Sequence, residues 1–121
     1  MKKILVIEDD ASLLKAYQEM FNPDEFRVIG ASTGQEGLAL TGSEKPDIIL
    51  LDLMLPGGMN GFDVLERLKA DPATKPIPVI VLTNLDSEEK VSKTIGARSY
   101  IVKANTTKDE IVKKVMDCLQ I

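Results

Sequence analysis

Hydrophobic and polar positions along this chain follow two alternating rhythms. Aliphatic runs stand at residues 4–7, 48–51, 79–82 and 100–102, with a weaker run at 26–31 diluted by Arg27 and Gly30. Short runs rich in Ile and Val read as buried strands of a parallel sheet. Between them the apolar residues recur every third or fourth position. Leu13, Leu14, Tyr17, Met20 and Phe21 form one such stripe, ended by Asn22-Pro23. A short helix containing Gly37 is predicted over 35–43. Phe62, Leu65 and Leu68 mark a third helix, with Asn60 as its cap, and Asp71-Pro72 with Lys75-Pro76-Ile77-Pro78 turns the chain into the next strand. A fourth helix opens on Asp86-x-x-Glu89, which is like a capping box, and offers only Val91 and Ile95 as apolar anchors. The last helix starts at Thr107-x-x-Glu110 and has a broad face of Ile111, Val112, Val115, Met116 and Leu119. Five alternating β and α units predict an α/β doubly wound (βα)5 fold, a five-stranded parallel sheet with helices on both faces. One domain spans residues 1–121, with no linker or repeat.

The polar residue that stops each strong run carries the chemistry. Residues 4–7 stop on Glu8-Asp9-Asp10, residues 48–51 on Asp52, residues 79–82 on Thr83, and residues 100–102 on Lys103. In open α/β sheets, ligands sit outside the carboxyl ends of the strands, where strand order reverses. If the four runs are neighbours, carboxylates, a hydroxyl and an ammonium converge on one patch. Such a set suits a divalent cation and a phosphoryl group. Asp10, the third acid of the triplet, is expected to cap the first helix.

Composition narrows the function. The net charge is −4 and the chain has no histidine, which excludes phosphate storage on its own imidazole and Ser-His or Cys-His nucleophile chemistry. Nothing resembles the basic patch of a nucleic-acid binder. Only four apolar residues follow Met1-Lys2-Lys3, too few for a secretory core or a membrane span, so a cytoplasmic, membrane-free protein is expected. The single cysteine, Cys118, lies among the apolar positions of the last helix and reads as a small core hydrophobe.

In their order and spacing, these residues resemble the receiver domain of two-component response regulators. That pattern has an acidic pair after the first strand, Asp after the third, Thr or Ser after the fourth and Lys after the fifth. Glu8-Asp9, Asp52, Thr83 and Lys103 match it, as do Asp52-Leu-Met-Leu-Pro56 and Gly96-Ala97 followed by Tyr100. The resemblance covers residues 3–119 and implies a flavodoxin-like strand order of 2-1-3-4-5, with the site between the first and third strands. It further implies that Asp52 is the phosphoacceptor and that Mg²⁺ is held by Asp9 directly, by Glu8 through water, by Asp52 and by the backbone carbonyl of Met54. Lys103 and Thr83 would meet the phosphoryl oxygens, and Thr83 and Tyr100 would form the switch. The chain is then a stand-alone phosphoacceptor. A histidine kinase or phosphotransfer protein would supply the phosphoryl group, and output would pass to a protein partner through the fourth helix, fifth strand and fifth helix. It would be a signalling domain rather than an enzyme, although one that assists its own phosphorylation and dephosphorylation.

Three departures from that pattern stand near the site. The loop Pro56-Gly57-Gly58-Met59-Asn60-Gly61 is one residue longer than usual, Asn84 replaces a small residue after the switch hydroxyl, and Ala104 replaces the usual Pro after Lys103. A cis bond not preceding proline costs about 2.5–4 kcal/mol, so Lys103-Ala104 is expected to be trans. The main rival is a receiver-like module that docks partners without phosphorylation; such a module would be expected to lose the nucleophile, acids or lysine. A phosphatase of the haloacid dehalogenase type would need an Asp-x-Asp pattern after the first strand and a cap domain. A flavodoxin-like carrier of FMN would need a phosphate loop where this chain has acids.

Overall fold

The computed structural model describes residues 1–85 and 87–121. The chain alternates β1 (Lys2–Ile7), α1 (Ala11–Met20), β2 (Phe26–Ala31), α2 (Gly34–Glu44), β3 (Ile48–Leu51), α3 (Gly61–Ala70), β4 (Val79–Thr83), α4 (Glu89–Ile95), β5 (Ser99–Val102) and α5 (Lys108–Leu119). The strands pair in parallel in the order β2-β1-β3-β4-β5, as expected. Strand order therefore reverses beside β1, and the crevice between β1 and β3 is the topological switch point. Ile7 is level with Leu51, so Glu8 and Asp52 leave the sheet side by side. Thr83 is level with Val102, which brings Lys103 out next to the end of β4.

Alternation along each strand builds two cores. Ile4, Val6, Ile48, Leu50, Ile80, Leu82 and Ile101 pack with Tyr17 from α1, Phe21 just past its end, and Ile111 and Val115 from α5. Leu5, Ile7, Ile49, Leu51, Val79 and Val81 pack with Val64, Leu65 and Leu68 from α3, and half-buried Leu38 and Ile95 join them from α2 and α4. Both faces of the central strands are covered, which is why these runs are aliphatic at every position. Each fully buried Leu, Ile or Val contributes about 1.5–3 kcal/mol relative to exposure. Cys118 is half-buried against the first core, and burial pushes its thiol pKa up, in keeping with a packing role.

Most helix starts follow the caps predicted from sequence. The Asp10 carboxylate accepts from the N–H groups of Ser12 and Leu13 at 2.9 and 3.1 Å. Asn60 with Asp63 and Thr107 with Glu110 form capping boxes. The fourth helix departs from expectation. Asp86 lies outside the described residues, and α4 begins after Glu88 with no side-chain cap. Val91, expected to anchor the helix, is 48% exposed, and the buried residue is Ser92. Ser92 and Ile95 are three apart and share the inward face, so Val91, one residue before Ser92, lies about 100° around the helix from it. Lys103-Ala104 is trans, as predicted, and residues Lys103–Asn105 form one 3-10 turn before the Thr107 cap. Among the described residues, no helix is long and apolar enough to cross a membrane.

Candidate functional site

Backbone pairing past the strand ends sets the positions of the acids. The Glu8 N–H donates to Ala31 O, and the Asp52 N–H donates to Ile7 O, continuing the ladder by one residue on each side of β1. Glu8 is thus buried despite its charge, and Asp52 is 7% exposed, while Asp9 turns outward into solvent. One carboxylate oxygen from each of Glu8, Asp9 and Asp52 lies within 4.8 Å of the others. The three acids foreseen in the sequence therefore meet at one point. Asp10, the fourth, is turned to its capping role instead.

Lys103 closes the cluster. Its Nζ donates to Glu8 Oε1 at 2.5 Å and to Asp52 Oδ2 at 2.9 Å, with a side chain only 12% exposed. The other oxygens are also engaged: Asp10 N–H donates to Glu8 Oε2 at 3.2 Å, and Met54 N–H donates to Asp52 Oδ1 at 3.1 Å. Burial pushes the pKa of Glu8 up, and Asp52 adds to this by like charge, although Lys103 and the Asp10 N–H pull the other way. For Lys103 burial alone would lower the pKa. Hydrogen bonds to two carboxylates and their charges outweigh it, so Lys103 is held protonated more firmly than an ordinary lysine. Three carboxylates and one ammonium leave two negative charges at the site. A hard divalent cation with oxygen ligands fits that set in charge and in donor chemistry.

Thr83 is fully buried at the end of β4, between the strands that carry Asp52 and Lys103. Its Oγ1 accepts from the Leu85 N–H at 3.4 Å. Tyr100 is half-buried on β5, and its hydroxyl donates to the Leu85 carbonyl. Leu85 therefore links Thr83 and Tyr100, the two residues expected to form the switch, through backbone atoms that give no signature in sequence. The Met54 N–H was missed for the same reason, since only the carbonyl of that residue was expected to act.

The loop after Asp52 turns on glycine. Gly57 and Gly58 take φ of +85° and +83°, values L side chains rarely adopt. Gly61 then donates its N–H to Leu53 O, and a Cβ there would stand 2.2 Å from Asp52 O. The outer part of the loop thus turns on Gly57 and Gly58, and the chain returns tightly against Asp52 at Gly61. Asn84 is exposed beside Thr83.

Comparison with known proteins agrees with this arrangement. The family model described as the response regulator receiver domain matches residues 4–116. Protein PilH of Pseudomonas aeruginosa is 38% identical over 105 residues, covering 85% of this chain and 86% of PilH. Sporulation initiation phosphotransferase F of Bacillus subtilis is 31% identical over 104 residues, covering 84% of this chain and 82% of that protein, whereas the chain spans 45% or less of the length of several other curated relatives. Among solved structures, the beryllofluoride-activated receiver domain of Klebsiella pneumoniae RstA superposes with a TM-score of 0.89 at 28% identity, over 99% of this chain and all of that one. The Mn²⁺-bound form of response regulator Rcp1 gives a TM-score of 0.81 at 28% identity, covering 97% and 93%.

Proposed function

The chain belongs to the response regulator receiver domain family, and on that premise we propose that it is a phosphoacceptor switch working at Asp52. The donor is a phosphohistidine of a histidine kinase or phosphotransfer protein. The Asp52 carboxylate attacks phosphorus, the bond from phosphorus to the donor nitrogen breaks, and an aspartyl phosphate forms. The observation that carries this reading is the placement of the Asp52 carboxylate between two further acids and Lys103.

Attack by a carboxylate on a charged phosphoryl group is opposed by about 4 kcal/mol per unit pair at 4 Å and intermediate dielectric. Glu8, Asp9, Asp52 and the Met54 carbonyl are the groups that would hold Mg²⁺, which when bound neutralises charge on the nucleophile and the phosphoryl oxygens. The Mn²⁺-bound relative supports this assignment. Lys103 carries its charge from Glu8 and Asp52 onto a phosphoryl oxygen, a short movement for a four-carbon stem. The Met54 N–H holds one Asp52 oxygen in place while the other reacts. Thr83 turns its hydroxyl to the phosphoryl group, and Leu85 and Tyr100 follow, since both are tied to that segment. Output then leaves through α4, β5 and α5 to a protein partner.

Incubation with acetyl phosphate, with Mg²⁺ or with excess chelator, tests the reading by intact mass. Wild type should gain one phosphoryl group with Mg²⁺ and none in chelator, and Asp52→Asn should gain none in either. A folded wild-type protein that gains nothing with Mg²⁺ would favour a module that docks partners without phosphorylation.

A further inference from the structure

A cleft of about 390 Å³ opens at the opposite end of the sheet, before β4 and β5 begin. Lys69 of α3, Lys75, Pro76 and Pro78 of the turn into β4, and Ile95 and Arg98 around the end of α4 line it. None of its lining residues is acidic, in a chain whose net charge is −4. None of the three cations forms a salt bridge among the described residues. Arg98 also borders the adjoining cleft that Glu110 and Asp117 line, but within this cleft it meets only Lys69 and Lys75, and like charges brought together are a cost that an anion would reduce.

One of the three cations is also held in place. Lys69 Nζ donates to the carbonyls of Lys75 and Ile77 at 2.9 and 2.7 Å, which fixes the ammonium and leaves its third hydrogen free. Burial pushes the Lys69 pKa down, and the charges of Arg98 and Lys75 push it the same way. The Arg98 backbone N–H donates to Val79 O at 2.8 Å, which fixes that residue's backbone at the rim. Pro76, Pro78 and Ile95 supply an apolar wall beside the charges. A volume near the lower end of ordinary ligand sites suits a small molecule.

We propose that this cleft binds the doubly charged phosphoryl group of a small organic phosphate, with Lys69, Lys75 and Arg98 around the oxyanion and the proline-isoleucine wall against the organic part. A singly charged carboxylate would leave two of the three cations unrelieved, whereas a phosphoryl dianion offers several oxygens to an arginine fork and two ammonium groups. The site is independent of Asp52, which stands at the other end of the strands.

Titration of isotope-labelled protein with phenyl phosphate in excess chelator, followed by amide spectra, tests this. Saturable shifts are expected at Lys69, Lys75 and residues 96–98, weaker binding of inorganic phosphate, and no shifts with benzyl alcohol. Lys75→Gln and Arg98→Gln, both at exposed positions, should each weaken binding roughly tenfold, as loss of a charged hydrogen bond does. Lys108→Gln should leave it unchanged. Lys69→Gln should weaken it too, but that variant also releases two carbonyls, so the two exposed variants decide. Absence of saturable shifts, affinity unchanged in Lys75→Gln and Arg98→Gln, or shifts confined to residues around Asp52 and Lys103 would overturn the proposal. Inorganic phosphate binding as tightly as phenyl phosphate would overturn the role of the apolar wall.

Discussion

Lys103 holds together two carboxylates that would otherwise repel each other in a nearly dry site, at 2.5 and 2.9 Å. Removing one partner of a buried ion pair costs about 3–5 kcal/mol, because the remaining charge stays unpaired. Lys103→Met should therefore lower the melting temperature markedly in chelator. It should also gain more stability from added Mg²⁺ than wild type does, since the ammonium no longer competes for Glu8 and Asp52 oxygens. Thermal unfolding with and without Mg²⁺ measures both, and a smaller Mg²⁺ response than wild type would contradict the competition. Glu8 makes a second prediction. Its folded pKa lies above the ordinary 4.5, because burial penalises the charge. Its stabilising contribution is complete below that ordinary value and is lost as pH rises through the raised folded value. The raised pKa of Lys103 acts in a separate window, since its contribution is present below 10.5 and lost only above it. Metal-free Glu8→Gln, which leaves Lys103 paired with Asp52, should thus lack that loss and melt above wild type at neutral pH. A lower melting temperature for Glu8→Gln in chelator would refute the burial argument. At this scale the acids, Thr83 and Lys103 were legible because each ends an aliphatic run. Leu85 and the Met54 N–H were not, because backbone groups act regardless of the side chain they carry.

Among the helices, α4 is held least firmly. It has seven residues, no side-chain cap, an exposed Val91, and Ser92 as its buried residue. Ser92 Oγ is buried with no hydrogen-bond partner, the one such side-chain atom among the described residues. An unsatisfied buried hydroxyl costs about 1–3 kcal/mol. Ser92→Ala should consequently raise the melting temperature by roughly 3–5 °C per kcal/mol recovered and slow amide exchange across α4. A fall in melting temperature would mean that the hydroxyl finds a partner in solution. The sequence pointed to a weak fourth helix from its sparse apolar stripe, but it put Val91 on the wrong face. With two apolar residues at a spacing of four and no observed cap, the helical phase was undetermined. In α5 five apolar residues fixed the phase, and the capping box at Thr107 fixed the start.

The whole molecule couples these pieces through its topology. Parallel order 2-1-3-4-5 puts the strand that ends on Asp52 at the centre of the sheet and Thr83 and Tyr100 on the two strands that follow it to one edge. The parallel, doubly wound sheet was readable because five β and α units alternate without interruption, whereas its strand order was implied by the resemblance to receiver domains. The close return of the loop at Gly61 was not, since it depends on where Asp52 O lies in space. On the function proposed above, a charge change at Asp52 needs a weakly held element to become a change of surface, and α4 with the Leu85–Tyr100 link would be that element. Amide exchange with and without beryllofluoride and Mg²⁺ should therefore change most across residues 87–103, and a maximum on α1 or α2 would contradict this route. The most direct test of the central claim is borohydride reduction of protein treated with acetyl phosphate and Mg²⁺, followed by peptide mass spectrometry. An acyl phosphate on aspartate is reduced to homoserine, so homoserine should be found at position 52. Homoserine at Asp9 or Asp10, or none at all in protein shown to carry phosphate, would contradict the account.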